Sequence, residues 1–181
     1  MVNVNAGPEV VHAYVKEQAS KGRDHVLGLV RSDLDAVAGL IAGLDEEDAN
    51  FKPNEAEFSI SEVIQHLNGS FERSKQRLET LSSGKPWQNQ GPGPGPGSIP
   101  EPRPGSFAEV RSRFEAGAGE IVSILEKADP DTGLDLTAAH ATFGEFNWLE
   151  WAAYSHHVHT HDHIGQLEQI KRGLAKTTSG P

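Results

Sequence analysis

Apolar residues recur at every third or fourth position along four stretches of the chain, which is the period of an amphipathic α-helix. These stretches are residues 8–44, 59–81, 106–129 and 147–174. Gly22 divides the first into a short leading piece and a longer main helix. Ser59 with Glu62, and Ser106 with Glu109, have the spacing of capping boxes at two helix starts. Because no segment shows a convincing strand pattern, the sequence predicts an all-α four-helix bundle.

The segments between these stretches are predicted to be connections. Asp45–Asp48 is expected to open a turn, and residues 131–145 are expected to form a loop. Glycine and proline dominate residues 89–105, where proline removes amide donors and fixes φ, so neither a helix nor a central strand is expected there. We predict one domain over residues 1–181, with 89–105 as a long exposed crossover and 175–181 as a flexible tail.

Composition narrows the chemistry that the chain can support. Cysteine is absent, so a metal must be held by His, Asp or Glu. The 16 basic and 26 acidic side chains give a net charge of −10, which argues against nucleic-acid binding. The sequence contains no apolar run long enough to span a membrane and no signal-peptide pattern. We therefore expect a cytoplasmic protein that acts on a small molecule, without a nucleic-acid or membrane partner.

Five of the nine histidines fall within eight residues of the fourth helix. Extending the apolar stripe of this helix through the polar interval selects His156, His159 and His163, whereas His157 and His161 align with a face expected to meet solvent. His159 and His163 are one turn apart, so both imidazoles can reach the same ion. His157 and His161 have the same spacing and are the rival pair.

A third ligand is expected from another helix, because a metal rarely rests on two ligands. His66 in the second helix is the natural candidate. It lies on the flank of the apolar stripe, a position that fits a ligand at a helix–helix seam and a partly exposed histidine equally well. From the residues alone, both interpretations stay open.

Two segments resemble the DinB-like superfamily of four-helix metal-binding proteins, which includes the YfiT-type proteins. The first, FSISEVIQHL at 58–67, is similar to the family's aromatic-Ser-x-x-Glu-(Val/Ile)-x-x-His-Leu segment, with Phe58 where tryptophan is common. The second combines FG at 143–144 and WLEW at 148–151 with the His-x-x-x-His-x-x-Gln pattern of His159, His163 and Gln166. The segments LDEED and FKP, beginning at Leu44 and Phe51, also resemble the family's join between its first two helices.

The resemblance implies an up–down–down–up bundle with a long Gly/Pro-rich crossover between helices 2 and 3. It further implies that His66, His159 and His163 bind one divalent metal ion, usually zinc or nickel, with water completing the coordination. Relatives in this superfamily include transferases and isomerases that use a low-molecular-weight thiol. A thiol-dependent transferase and a metal-dependent hydrolase are therefore the leading hypotheses. A non-catalytic metal-containing binding or stress-response protein, or a bundle with a vestigial site, is the alternative.

Five further residues are candidates for the pocket or for support of the ligands. They are Glu62, His140, Trp148, His156 and Gln166. Three of them also have a structural interpretation: Glu62 as a capping residue, Gln166 as a surface amide and Trp148 as packing at a helix start. A homodimer is compatible with this fold class, but no heptad pattern specifies one.

Overall fold

The computed structural model describes residues 2, 4–88 and 105–178 of the chain. The predicted Gly/Pro-rich loop lies outside this set except for Gly105, and so do residues 179–181 of the predicted tail. The described residues are mostly helical, which agrees with the predicted all-α class. Among the residues that the structure describes, no helix combines the length and the apolar character needed to cross a membrane.

The first predicted stretch forms two helices and is followed by a third, short one. α1 spans Pro8–Ala19 and α2 spans Arg23–Ile41, and Gly22 separates them with a φ of 92°. The acidic segment after α2 was predicted as a turn, which is wrong: α3 spans Glu46–Asn50. Asp45 explains the helix, because its side chain accepts a hydrogen bond from the amide of Asp48 and caps the N-terminus.

The two central helices begin where the capping boxes predict. α4 spans Ile60–Ser82 and α5 spans Phe107–Lys127. The hydroxyl oxygens of Ser59 and Ser106 accept from the amides of Glu62 and Glu109, and both glutamates accept from the serine amides in return. Each box is worth about 1 kcal/mol. The cap fixes the start of α4 and therefore the direction in which its later side chains point.

The last third of the chain differs most from the prediction. Within the expected loop, β1 (Ala138–His140) pairs antiparallel with β2 (Gly144–Phe146). Strands of three residues are too short to show a recognisable alternation in the sequence. The predicted fourth helix consists of α6 (Trp148–Ala153), a π-helical turn (Tyr154–Val158) and α7 (His159–Thr178). α7 thus continues beyond the expected end at Leu174 and includes the first part of the predicted tail.

Side-chain contacts connect the long helices around one apolar core. Between α4 and α5, Asn68 donates to the carbonyl of Val110 and Lys75 pairs with Glu120. Between α2 and α7, Lys171 donates to the carbonyl of Leu40. The largest fully buried side chains come from five of the helices and from β2. They are Trp148, Phe114, Phe146, Ile41, Ile60, Ile64, Leu67, Leu78, Leu81, Ile121, Leu125 and Leu167.

Gly133 makes the closest backbone approach among the described glycines. Its φ is 72°, and a Cβ at this position would lie 2.0 Å from the carbonyl oxygen of Leu81. We expect Gly133→Ala to lower the free energy of unfolding by at least about 2 kcal/mol in urea denaturation, because the chain must shift and adopt a strained φ. Gly39→Ala is the control, since its Cβ would meet nothing within 4 Å. Equal stability of Gly133→Ala and the wild type would contradict this packing.

Candidate metal centre

Three histidines from two helices converge on one point. His66 lies on α4, and His159 and His163 lie on the first turns of α7. The Nε2 atom of His159 is 3.1 Å from Nε2 of His66 and 3.2 Å from Nε2 of His163. One ligand atom of each residue lies within 4.8 Å of the others, and within the described chain this is the one such group of three. All three side chains are half-buried, so the cluster reaches the surface.

The spacing of these nitrogens fits the edges of a metal coordination polyhedron. A Zn–N bond of about 2.0–2.1 Å and a tetrahedral angle place two ligand nitrogens about 3.3 Å apart. The two measured distances are within about 0.2 Å of this value. Three neutral imidazoles in this arrangement are the donor set of catalytic zinc sites, which keep a coordination position open. The triad can therefore hold a divalent metal ion.

The surroundings of the triad keep its imidazoles in the neutral form that binds metal. Burial, followed by the charges of His163 and Arg73, lowers the pKa of His66 to about 4. Burial also lowers the pKa of His159 and of His163. Neutral imidazoles present a lone pair to a metal at neutral pH, so little free energy is lost in displacing protons.

Gln166 orients one of the three rings. Its Oε1 accepts from Nδ1 of His163 at 2.9 Å, which leaves the lone pair of that ring on Nε2, facing the other two histidines. A hydrogen-bonded amide in this position holds both the tautomer and the ring plane. Among the five supporting candidates, Gln166 is the one that contacts a triad histidine directly through a hydrogen bond in the described structure.

The π-helical turn sets the phase of the helix that carries His159 and His163. The amide of His159 donates to the carbonyl of Tyr154, five residues earlier, so the turn accommodates one extra residue. As a result Ser155, His156, His157 and Val158 are all buried. The prediction that His157 faces solvent is wrong, since its side chain is only 1% exposed. A regular helical wheel cannot anticipate this change of phase.

The rival pair of histidines is engaged by an aspartate from α2. Nδ1 of His157 lies 2.6 Å from Oδ2 of Asp33, and Nδ1 of His161 lies 3.1 Å from Oδ1 of the same carboxylate. The other ring nitrogen of His157 is 3.2 Å from the hydroxyl of Tyr14. These two histidines therefore connect the last helical segment to α1 and α2.

His156 belongs to the core. Its Nε2 is 2.8 Å from Oγ of Ser74, its ring packs against Phe71, and Nδ1 has no hydrogen-bond partner. Burial lowers the pKa of His156 to about 3, so this ring stays neutral. Neither of its ring nitrogens belongs to the group of three.

Glu62 and Trp148 have structural contacts in place of the suggested site roles. Glu62 caps α4 and pairs with Lys52 at 2.8 Å. Trp148 is fully buried, and its indole N–H donates to the carbonyl of Thr132 at 2.8 Å. These contacts fit the structural interpretations, in which Glu62 is a capping residue and Trp148 packs at a helix start.

An aromatic cluster leads from the hairpin to the triad. His140 packs against Phe143, Trp151 and Tyr154. The ring of Tyr154 is inclined by 28° to that of His159, with 6.4 Å between centroids. Nδ1 of His140 accepts from the amides of Thr142 and Phe143. His140 is thus part of a wall beside the site, and Tyr154 is the wall residue nearest to a triad ring.

Sequence reasoning missed Tyr154 and two arginines, Arg73 and Arg77. Arg73 lies close enough for its charge to lower the pKa of His66 and of His159. Their spacing from His66 could have indicated the two arginines, because residues seven and eleven positions later lie on the same side of an α-helix. Without knowledge of which side of α4 faces α7, that signal could not be used.

Comparison with known proteins agrees with this arrangement. The family model of the DinB superfamily matches residues 29–167, a range that includes all three histidines and most of the helical chain. The searches among curated proteins and among solved structures found no match. A match over this much of the sequence establishes the family: the chain belongs to the DinB superfamily.

Proposed function

We propose that His66, His159 and His163 bind one divalent ion, zinc or nickel, and that the protein uses it to activate a nucleophile for reaction with a small molecule. The observation that carries this proposal is the convergence of three Nε2 atoms at distances that suit ligands of one ion. When bound, such an ion lowers the pKa of a coordinated thiol or water, so that the anion is available at neutral pH.

The protein's own residues define the surroundings of the reaction. Gln166 accepts from Nδ1 of His163 and would thereby keep Nε2 of that ring free to hold the ion. Tyr154 and the aromatic residues behind it, including Trp151 and Phe143, form an apolar wall on one side of His159. An apolar wall limits water on that side and offers a surface to the organic part of a substrate.

The helix arrangement proposed for this site is the up–down–down–up bundle. Contacts between α4 and α5 advance in step along both helices, from Asn68 with Val110 to Lys75 with Glu120, as expected for parallel neighbours. Contacts between α2 and α7 also advance in step, from Asp33 with His161 to Leu40 with Lys171. In contrast, the contacts between α2 and α5 run in opposite directions along the two helices, from Arg23 with Ala128 to Arg31 with Glu126, as expected for antiparallel neighbours.

A thiol transferase and a hydrolase differ in the nucleophile, so two assays on one preparation test both. The protein is purified without a nickel column and loaded with Zn²⁺ or Ni²⁺. The first assay follows conjugation of 1-chloro-2,4-dinitrobenzene to cysteine, glutathione or 2-mercaptoethanol. The second follows hydrolysis of 4-nitrophenyl acetate without thiol. We expect turnover in the thiol assay that disappears on chelation and in His163→Ala.

The other outcomes of these assays are equally informative. Metal-dependent turnover only in the ester assay would replace the transferase by a hydrolase. Absence of metal-dependent turnover in both assays, with the ion still bound, would contradict the catalytic proposal and favour a metal-binding protein without turnover. His161→Ala is the control variant, because His161 contacts Asp33 and lies outside the triad.

A further inference from the structure

Two arginines on α4 lie on the same side of the helix as His66. They follow it by seven and eleven residues, which is close to two and three turns. Seven residues correspond to about 10 Å along the axis, and helical side chains lean toward the N-terminus, so Arg73 reaches back in the direction of His66. Two small residues, Gly69 and Ser70, occupy the intervening turn, and both are half-buried.

Arg77 is held in a fixed orientation by two tryptophans. Its guanidinium carbon lies 3.8 Å from the ring centroid of Trp151 and 5.3 Å from that of Trp87. Stacking holds the faces of the guanidinium plane, and a guanidinium forms its hydrogen bonds along its edge. The Nε atom is buried and has no hydrogen-bond partner. Nε and a terminal nitrogen are the two donors that a carboxylate engages in a bidentate pair.

Neither arginine forms an ion pair with a carboxylate in the part of the chain that the structure describes. The ion pairs in this part of the chain involve other basic residues, for example Lys75 with Glu120 and Arg111 with Glu115. The charge of Glu72 raises the pKa of Arg73, against the larger effect of burial, which lowers it. Burial, and then the charge of Arg73, lowers the pKa of Arg77, so the two guanidinium groups oppose each other. The chain has 26 acidic and 16 basic side chains, yet among the described residues this pair of cations has no carboxylate within ion-pair distance.

We propose that Arg73 and Arg77 bind the carboxylate of the small molecule that reacts at the metal centre. The inference rests on the proposed function, because it assigns one end of the substrate to the triad and the other to the arginines. An anionic group between the two guanidinium groups removes their repulsion and supplies the acceptor that Nε of Arg77 lacks. The aromatic wall at Trp151 and Tyr154 then borders the organic part of the molecule between these ends.

Binding of simple thiols to the Co²⁺-loaded protein tests this proposal without requiring turnover. The probes are mercaptoacetate, 3-mercaptopropionate and 4-mercaptobutyrate, each compared with the mercaptoalcohol of equal length. The thiolate-to-Co²⁺ absorption in the near ultraviolet reports binding to the ion. We expect the best-fitting carboxylate to bind about tenfold more tightly than its matched alcohol, the scale of a charge-assisted hydrogen bond at a partly exposed site.

Variants of the two arginines test whether they cause the tighter binding of the carboxylates, called here the preference. Arg73→Gln and Arg77→Gln are expected to remove it while the affinities of the alcohols stay unchanged. Arg77→Lys keeps the positive charge and is expected to keep part of the preference for carboxylates. This variant distinguishes loss of the charge from loss of packing between the tryptophans. Arg111→Gln is the control, since that arginine pairs with Glu115 on α5. A wild-type protein without the preference, or a preference that survives both glutamine variants, would overturn the proposal.

Failure of the metal centre gives a different result from failure of the arginine site. The visible d–d bands of Co²⁺ in a three-histidine environment must appear before any thiol is added. Their absence would overturn both proposals, because the arginine site is defined relative to the ion. Their presence, together with equal binding of carboxylates and alcohols, would overturn the arginine proposal alone.

Discussion

Alanine in place of His66, His159 or His163 is expected to reduce the affinity of the protein for Co²⁺ or Zn²⁺ by more than about 100-fold. Residues that only brace a ligand typically cost 10–100-fold when removed, and loss of a ligand itself costs more. In the wild type, Nε2 of His159 lies 3.1 Å from Nε2 of His66 and 3.2 Å from Nε2 of His163. Each variant removes one of these three ligand atoms. Competition with a coloured chelator at constant pH measures the change.

Two further variants make the result specific to the triad. Gln166→Ala removes the acceptor for Nδ1 of His163 and is expected to weaken binding by about 10-fold. His161→Ala lies on the same helix, two residues from His159, and is expected to leave metal affinity unchanged because that ring contacts Asp33. The opposite order, with His161→Ala abolishing binding and His163→Ala leaving it intact, would show that the rival pair is the real site.

Local signals in the sequence predicted the parts of the fold that depend on neighbouring residues. The Ser59 and Ser106 capping boxes locate the starts of α4 and α5, because a cap needs only residues three positions apart. The apolar stripe likewise selected His159 and His163, whose rings do meet. For His66 the wheel position was ambiguous, and only packing of α4 against α7 brings its Nε2 within 3.1 Å of His159.

Features that depend on distant contacts were missed. The phase change at Tyr154–Val158 comes from backbone hydrogen bonding across five residues, so a regular period places His157 on the wrong side. Asp33 is separated from His157 by most of the chain, and no local pattern connects them. The significance of Arg73 and Arg77 likewise depends on Trp87 and Trp151, which approach α4 only in the folded protein.

The other large effect is expected at Asp33, which holds the second group of histidines. Its buried carboxylate accepts from Nδ1 of both His157 and His161, and His157 is only 1% exposed. Asp33→Ala leaves the Nδ1 donor of His157 buried without an acceptor and opens a small cavity beside Tyr14. We expect the free energy of unfolding of the metal-free protein to fall by about 3 kcal/mol in urea denaturation.

Comparison with milder changes separates the lost acceptor from the lost volume. Asp33→Asn keeps one oxygen acceptor and nearly the same shape, so about half of the destabilisation is expected. Asp35→Ala, at an exposed position on the same helix, is expected to change stability by less than about 0.5 kcal/mol. If Asp33→Ala is as stable as Asp35→Ala, the aspartate does not hold His157. If it destabilises the fold while Co²⁺ affinity stays within a few-fold of wild type, the histidines of the last helix divide into a structural pair on Asp33 and a ligand pair facing His66.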